Sequence, residues 1–209
     1  MTHYEEPKWL TWAKEIQALA QQGLTYTKDK YELDRYRQLR DLSVEIMQNY
    51  TEAGEDKIRD LFAFERGYQT PKVDVRGAIL RDDSILLVHE QIDGRWAMPG
   101  GWADVCLSVT DNIKKEAREE AGMTVEPYKL VGLFDWTRNI KKPFPYSIYK
   151  AVMLCRPEEW QFEKNIETLE ADFFKRDSLP ELSPGRTTRE LIDLCFEARE
   201  NPGYKPVVD

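Results

Sequence analysis

Between Gly67 and Pro71 the spacing of apolar residues changes period, and that change limits what this chain can build. Upstream, Trp9, Trp12, Ala13, Ile16, Leu19 and Ala20 recur at helical offsets and draw one apolar stripe. Tyr36, Leu39, Ile46, Met47 and Tyr50 draw a second stripe, and Ile58, Leu61 and Phe62 a short third that stops at Gly67. Downstream the texture is that of strands. Val73, Val75 and Ala78 to Leu80 lead into the polar turn Arg81-Asp82-Asp83-Ser84, and Ile85 to Val88 follows as the return arm of a hairpin. Leu130 to Phe134 and Ile148 to Cys155 extend the sheet. The pattern predicts a small helical domain over residues 1–66, a linker over 67–71 and a mixed α and β domain over 72–209. On its residues alone, the helical part reads as a packing or dimerisation module.

One segment of the second part is strongly helical, Thr110 to Ala121. Ser108 with Asp111 resembles a capping box at its start, and Gly122 stands where a glycine cap belongs at its end. A last helix is expected to open with Thr187 and Glu190, to carry Leu191, Leu194, Cys195 and Ala198 on one face, and to stop at Pro202-Gly203.

Composition excludes several chemistries. The net charge of −8 disfavours duplex DNA and anionic lipid, although it leaves RNA open. Cys106, Cys155 and Cys195 are far apart and form no CxxC pair, so neither a disulfide framework nor a zinc ribbon is indicated. The only histidines are His3 and His89, which argues against a Ser-His-Asp hydrolase and a multi-histidine metal site. The longest apolar run, Ala151 to Cys155, is too short to cross a membrane, and the first residues lack a secretory pattern, so a cytoplasmic protein is expected. Any metal chemistry here must use carboxylates.

Such carboxylates are present. Trp96-Ala97-Met98-Pro99-Gly100-Gly101-Trp102-Ala103-Asp104 precedes a helix ending Lys115-Glu116-Ala117-Arg118-Glu119-Glu120-Ala121-Gly122-Met123. Helical spacing puts Glu116, Glu119 and Glu120 on one face, where like charges repel. A solvated charged face with a Lys115–Glu119 ion pair is the ordinary account of such a run. A hard divalent cation wants oxygen ligands of this kind, and adjacent glycines let a backbone approach a phosphate or metal closely. Loop and helix together favour the second account.

These residues resemble the signature of the Nudix hydrolases. Gly101, Glu116, Glu119, Glu120, Gly122 and Met123 fall in register with it, and Trp96 with Pro99-Gly100-Gly101 is the usual lead-in. The chain departs from the signature at Leu107, where the family has Glu, at Lys115, where it has Arg, and at Ala117, smaller than the usual aliphatic. The resemblance covers about residues 72–200. Residues 1–66, Gly101 to Val105 and Leu179-Pro180-Glu181-Leu182-Ser183 are similar to a bacterial group that includes CDP-choline pyrophosphatases and ADP-ribose pyrophosphatases.

The resemblance implies an α+β fold, a Nudix α/β/α sandwich with a mixed sheet behind an all-α N-terminal domain. It implies Mg²⁺, with Mn²⁺ as a substitute, and hydrolysis of a nucleoside diphosphate linked to X into a nucleoside monophosphate and X-phosphate. CDP-choline stands first among substrates and ADP-ribose second, with a non-catalytic ligand-binding or regulatory module as the alternative that Leu107 and Lys115 favour. Glu116 and Glu120 are expected as principal metal ligands, Glu119 as a third ligand or water-orienting group, and the Gly101 carbonyl as completing the shell. The general base is expected from the polar segment Glu163 to Asp172 after the last sheet strand, from Glu167 or Glu170, either of which also fits a solvated acidic loop. Arg138, Lys141 and Lys142 form a basic loop suited to phosphate or simply to solvent. Phe134, Trp136, Tyr146 and Tyr149 could stack a base or enclose a choline headgroup, and core packing accounts for each as well. His89 and Cys106 show no partner that would make them catalytic. Because Nudix enzymes are often dimers, a homodimer is expected.

Overall fold

The computed structural model describes residues 7–52, 54–59, 63, 67–139 and 147–209. They form two compact units, one ending at Pro71 and one beginning at Lys72. In the first, α1 (Lys8–Tyr26) packs against α2 (Lys30–Tyr50), and a short α3 (Glu55–Ile58) follows. Asp29 starts α2 by accepting the backbone N–H groups of Tyr31 and Glu32. Gly23 lets the two helices approach, since a Cβ there would lie 2.3 Å from the Tyr36 ring.

The buried face of this pair matches the expected stripes only at Ala13, Ala20 and Met47. Leu10, Ala13, Ala20, Val44 and Met47 are inside, together with the polar Gln17, Gln21 and Ser43. The Ser43 hydroxyl donates to Gln17, and the Gln17 amide donates to Gln21. The bonds among these short polar side chains allow the helices to bury them where apolar residues were expected. Trp12, Leu19, Leu39 and Tyr50 are left exposed. Leu61 and Phe62 of the third stripe lie outside the described residues.

The second unit is built on a mixed sheet of β1 (Lys72–Arg81), β2 (Ser84–Glu90), β3 (Trp96–Ala97), β4 (Met123–Asp135), β5 (Ile148–Trp160), β6 (Thr168–Lys175) and β7 (Val207–Val208), with helices α4 (Val109–Ala121) and α5 (Arg189–Glu200). β1 runs parallel to β5, β5 antiparallel to β4, and β4 parallel to β7. The predicted hairpin forms, but only Leu80↔Ile85 and Arg81↔Ser84 pair. β2 then leaves β1 and pairs antiparallel along its length with β6. Val75, Ile79, Leu86 and Val88 of the sheet pack on Ile113, Ala117 and Ala121 of α4.

Where β2 departs, the loop after β3 takes up the freed edge of β1. Gly77 N donates to Pro99 O, Val75 N to Gly101 O, and Ala103 N to Val73 O. Gly100 lies so close to β1 that a Cβ would stand 2.0 Å from the Val75 carbonyl oxygen, and its φ of 142° suits only glycine.

Two expectations are corrected here. Residues 168–175 are a strand and not part of a late loop, because Ala171 and Phe173 pack on the core of α4 while the intervening residues face outward. The last helix is capped by Thr188, whose hydroxyl accepts Leu191 N, while the buried Thr187 hydroxyl accepts Met98 N instead.

Candidate active site

The capping predicted for α4 is present. The Ser108 hydroxyl accepts Asp111 N and donates to the Asp111 carboxylate, and Gly122 closes the helix at φ 60°. The caps set the ends of α4, and the packing of Ile113, Ala117 and Ala121 on the sheet sets its rotation, so Glu116 and Glu120, one turn apart, lie against the Pro99-Gly100-Gly101 loop. Glu120 accepts Gly100 N at 2.7 Å. A Cβ on Gly101 would lie 3.6 Å from both Glu116 carboxylate oxygens. Both side chains are buried, at 6% and 9% exposure, and Glu90 at the end of β2 joins them at 8%.

Burying three carboxylates together has an electrostatic consequence. Desolvation pushes the Glu120 carboxyl up to about 8, opposed by Arg76 and the Gly100 N–H and reinforced by Glu90 and Glu116. Burial raises Glu116 as well, with Lys115 opposing and Glu119 and Glu167 adding to the rise. Glu90 is raised by burial against the pull of Arg186 and Arg76. An all-oxygen set held above its ordinary range suits a hard divalent cation, which would replace the retained protons. As the side chains lie, no three such groups among the described residues converge closely enough to hold an ion. Glu119 is half exposed and turned to Lys115 at 2.9 Å. Mg²⁺ commonly takes one or two carboxylates, with water and substrate phosphate filling the rest of its shell, so the residues present fit it.

Two of the three departures from the Nudix signature, Lys115 and Leu107, have local compensation. Lys115 bridges Glu119 and Asp104, the latter at 3.2 Å, and these bonds hold its ammonium well above the usual lysine range. The buried Asn112 braces the loop ahead of the helix: its side-chain carbonyl accepts Asp104 N at 2.8 Å, and its amide donates to Asp104, Leu107 and Ser108 carbonyls. Leu107 itself is 43% exposed.

The other expected site residues are dispersed. Glu167 lies in the turn before β6, where its carbonyl accepts Gln91 N, and its charge is felt by both Glu90 and Glu116. Glu170 pairs with His89 across the strands, on the face of β6 opposite to Ala171 and Phe173. Trp136 is 1% exposed, donates to Gly185 O and lies under the Lys150 ammonium at 4.0 Å, so its ring faces are not open to a base. Arg138 pairs with Asp135 at 3.0 Å, and Tyr149 is exposed on β5. Lys141, Lys142 and Tyr146 lie outside the described residues.

A buried ionic network behind the loop escaped the sequence reading. Arg76 forks onto Asp74 at 2.9 and 3.1 Å and donates to Met98 O. The fully buried Lys150 reaches Asp74 at 3.2 Å and Arg186 O at 2.5 Å, and burial pushes its ammonium down to about 7. The signal available was a pair of charges, Asp74 and Arg76, inside an otherwise apolar strand.

Paired buried carboxylates facing a loop without side chains suit a metal-assisted hydrolase of phosphoanhydrides. Comparison with known proteins agrees with that class. Residues 71–194 match the NUDIX domain, and residues 7–62 match a domain described as "UDP-X-like, N-terminal oligomerisation domain". YjhB of Bacillus subtilis (strain 168), to which ADP-ribose pyrophosphatase activity is provisionally ascribed in its name, is 42% identical over 98% of both chains. The crystal structure of a UDP-X diphosphatase is 32% identical with a TM-score of 0.62, covering 96% of this chain and 97% of that one. An ADP-ribose pyrophosphatase from Streptococcus suis 89-1591 is 42% identical with a TM-score of 0.62, covering 67% of this chain and all of its own. This chain belongs to the Nudix hydrolase family, whose members generally use a divalent metal.

Proposed function

We propose that this protein is a Mg²⁺-dependent pyrophosphatase that hydrolyses a nucleoside diphosphate linked to X into a nucleoside monophosphate and X-phosphate. The observation that carries this reading is the approach of Glu116 and Glu120 to the Gly100–Gly101 backbone. ADP-ribose leads the candidate substrates, because relatives similar to this chain carry that name, one of them over almost the full length. A UDP-linked compound and CDP-choline follow.

In this reading Glu116 and Glu120 would hold the cation with the Gly101 carbonyl, and Glu119, paired with Lys115 in the free protein, would serve as a third ligand. A bound divalent cation supplies charge neutralisation at the diphosphate and acidifies a water. Glu167 takes the proton of the attacking water, whose oxygen joins one phosphorus as the bridging P–O bond breaks towards the other phosphate. Glu167 is preferred to Glu170 because its charge reaches Glu90 and Glu116, whereas Glu170 faces away from the core under α4. Glu167→Gln should lower kcat by about a hundredfold or more and remove the acidic limb of the pH–rate profile, whereas Glu170→Gln should keep it. The reverse outcome would transfer the role to Glu170.

The helical unit is proposed to form a homodimer, supported by the description of its family and by the apolar side chains that α1 and α2 leave exposed. The substrate is tested by product analysis with Mg²⁺ on ADP-ribose, UDP-glucose, CDP-choline, NADH and a short capped RNA. Release of the nucleoside monophosphate from one nucleoside diphosphate compound supports the reading. Nucleotide binding without turnover on any of them would replace it with a ligand-binding module.

A further inference from the structure

We infer that Arg186 is a substrate-binding residue whose guanidinium grips a non-bridging oxygen of the diphosphate. The inference rests on the reading of the site as a diphosphate hydrolase and adds the cation that such a substrate needs.

Four other cations in this part of the fold are already occupied. Arg76 and Lys150 are buried and committed to Asp74 and to backbone carbonyls. Lys115 bridges Asp104 and Glu119, and Arg138 pairs with Asp135. Arg186 is different. Its Nε lies 3.3 Å from Glu90, and its Nη1 lies 3.2 Å from Asp93 and 3.1 Å from the Ser183 hydroxyl. Its Nη2 makes no hydrogen bond among the described residues, and the side chain is 29% exposed. The guanidinium is therefore held by protein at Nε and Nη1, with Nη2 left as the donor to spare beside Glu90, whose charge is felt by Glu120.

The main chain beneath this guanidinium is fixed in the same register as the Pro-Gly-Gly loop. Ser183 N donates to Trp96 O, and Met98 N donates to the Thr187 hydroxyl, so residues 183–187 are tied to the strand that leads into Pro99. The Lys150 ammonium donates to Arg186 O, and the Trp136 indole donates to Gly185 O. Four tethers on a loop of this length leave little freedom to the residue they surround. An arginine held at Nε and Nη1 is preorganised for phosphate, because its Nη2 can donate to an oxygen without further loss of rotamer freedom.

The test uses the full chain with Mg²⁺ and α,β-methylene-ADP, a diphosphate that cannot be cleaved at the bridging position, with affinity read by calorimetry. Arg186→Gln should weaken binding by about tenfold to a hundredfold and raise KM for the hydrolysed substrate similarly. Arg186→Lys should recover only part of the loss, because a single ammonium cannot keep the Glu90 and Asp93 contacts and reach the phosphate at once. Asp93→Asn separates this role from a structural one: it loosens the guanidinium without removing it, so affinity should stay equal or tighten. If the ion pair merely anchors the loop, Asp93→Asn and Arg186→Gln will lower Tm together and leave the Kd of the folded protein unchanged, which overturns the inference. If Arg186→Gln does not fold, a wild-type Kd in Arg186→Lys overturns it equally. A wild type that binds the analogue but hydrolyses no nucleoside diphosphate sinks the reading of function and leaves the Arg186 comparison in force.

Discussion

Glu120 connects two parts of the site through one carboxylate, since the oxygen that accepts Gly100 N belongs to a group proposed to hold a cation. Its proton is kept in the fold up to about pH 8, whereas an ordinary glutamate loses it near 4.5. Between those values the folded chain binds more protons than the unfolded one, so the metal-free protein should lose stability as pH rises through that window. A divalent cation displaces the proton, and its stabilising effect should grow across the same range. Thermal denaturation with and without Mg²⁺ at several pH values checks this; a Tm increment independent of pH would contradict it. Asp74 has the opposite character, with a carboxylate held below its ordinary range by Arg76 and Lys150 in spite of burial. Asp74→Ala should cost about 3–5 kcal/mol in chemical denaturation, because it strands two cations in the core. A cost below about 1 kcal/mol would show that Arg76 and Lys150 find other partners.

At the scale of elements, the site depends on the divergence of β2 from β1, which frees the edge that the Pro99-Gly100-Gly101 loop occupies. The loop is braced at its far end by Asn112, and Asn112→Ala should destabilise the domain by about 1–3 kcal/mol and lower turnover without changing the metal preference. Urea denaturation and a metal titration would measure the two effects, and an unchanged midpoint would contradict the bracing. Much of this was legible in the sequence. Ser108, Asp111 and Gly122 act locally, within one turn of the helix ends, and their caps were read directly. Helical spacing placed Glu116 and Glu120 on a shared face, whereas Glu119, expected with them, is half exposed and turned to Lys115. What failed to show was long-range: Arg76 with Met98, Lys150 with Arg186, and Glu90 with Arg186 are partners far apart in the chain, and no local period records them. Residues 168–175 misled for a related reason, because Glu170 and Asp172 make the outward half of a half-buried strand look like a polar loop.

For the whole molecule, the helical unit exposes Trp12 at 56%, Leu19 at 62%, Tyr26 at 67% and Tyr50 at 62%. The sequence stripes identified Trp12, Leu19 and Tyr50 as apolar face residues. They also held Ala13 and Met47 of the intramolecular core, but could not say that Leu10 and Val44 would complete it. If this face joins two copies, Trp12→Glu with Leu19→Glu should convert a dimer to a monomer in analytical ultracentrifugation while the NUDIX domain stays folded. A wild type that sediments as a monomer at micromolar concentration would contradict the dimer. The central claim is chemical, and one comparison tests it most directly: steady-state hydrolysis of ADP-ribose by wild type with Mg²⁺, by wild type with EDTA, and by Glu120→Gln with Mg²⁺. The account predicts AMP and ribose 5-phosphate from the first, and a rate lower by about a hundredfold or more in the other two. Turnover that survives both chelation and Glu120→Gln would contradict it.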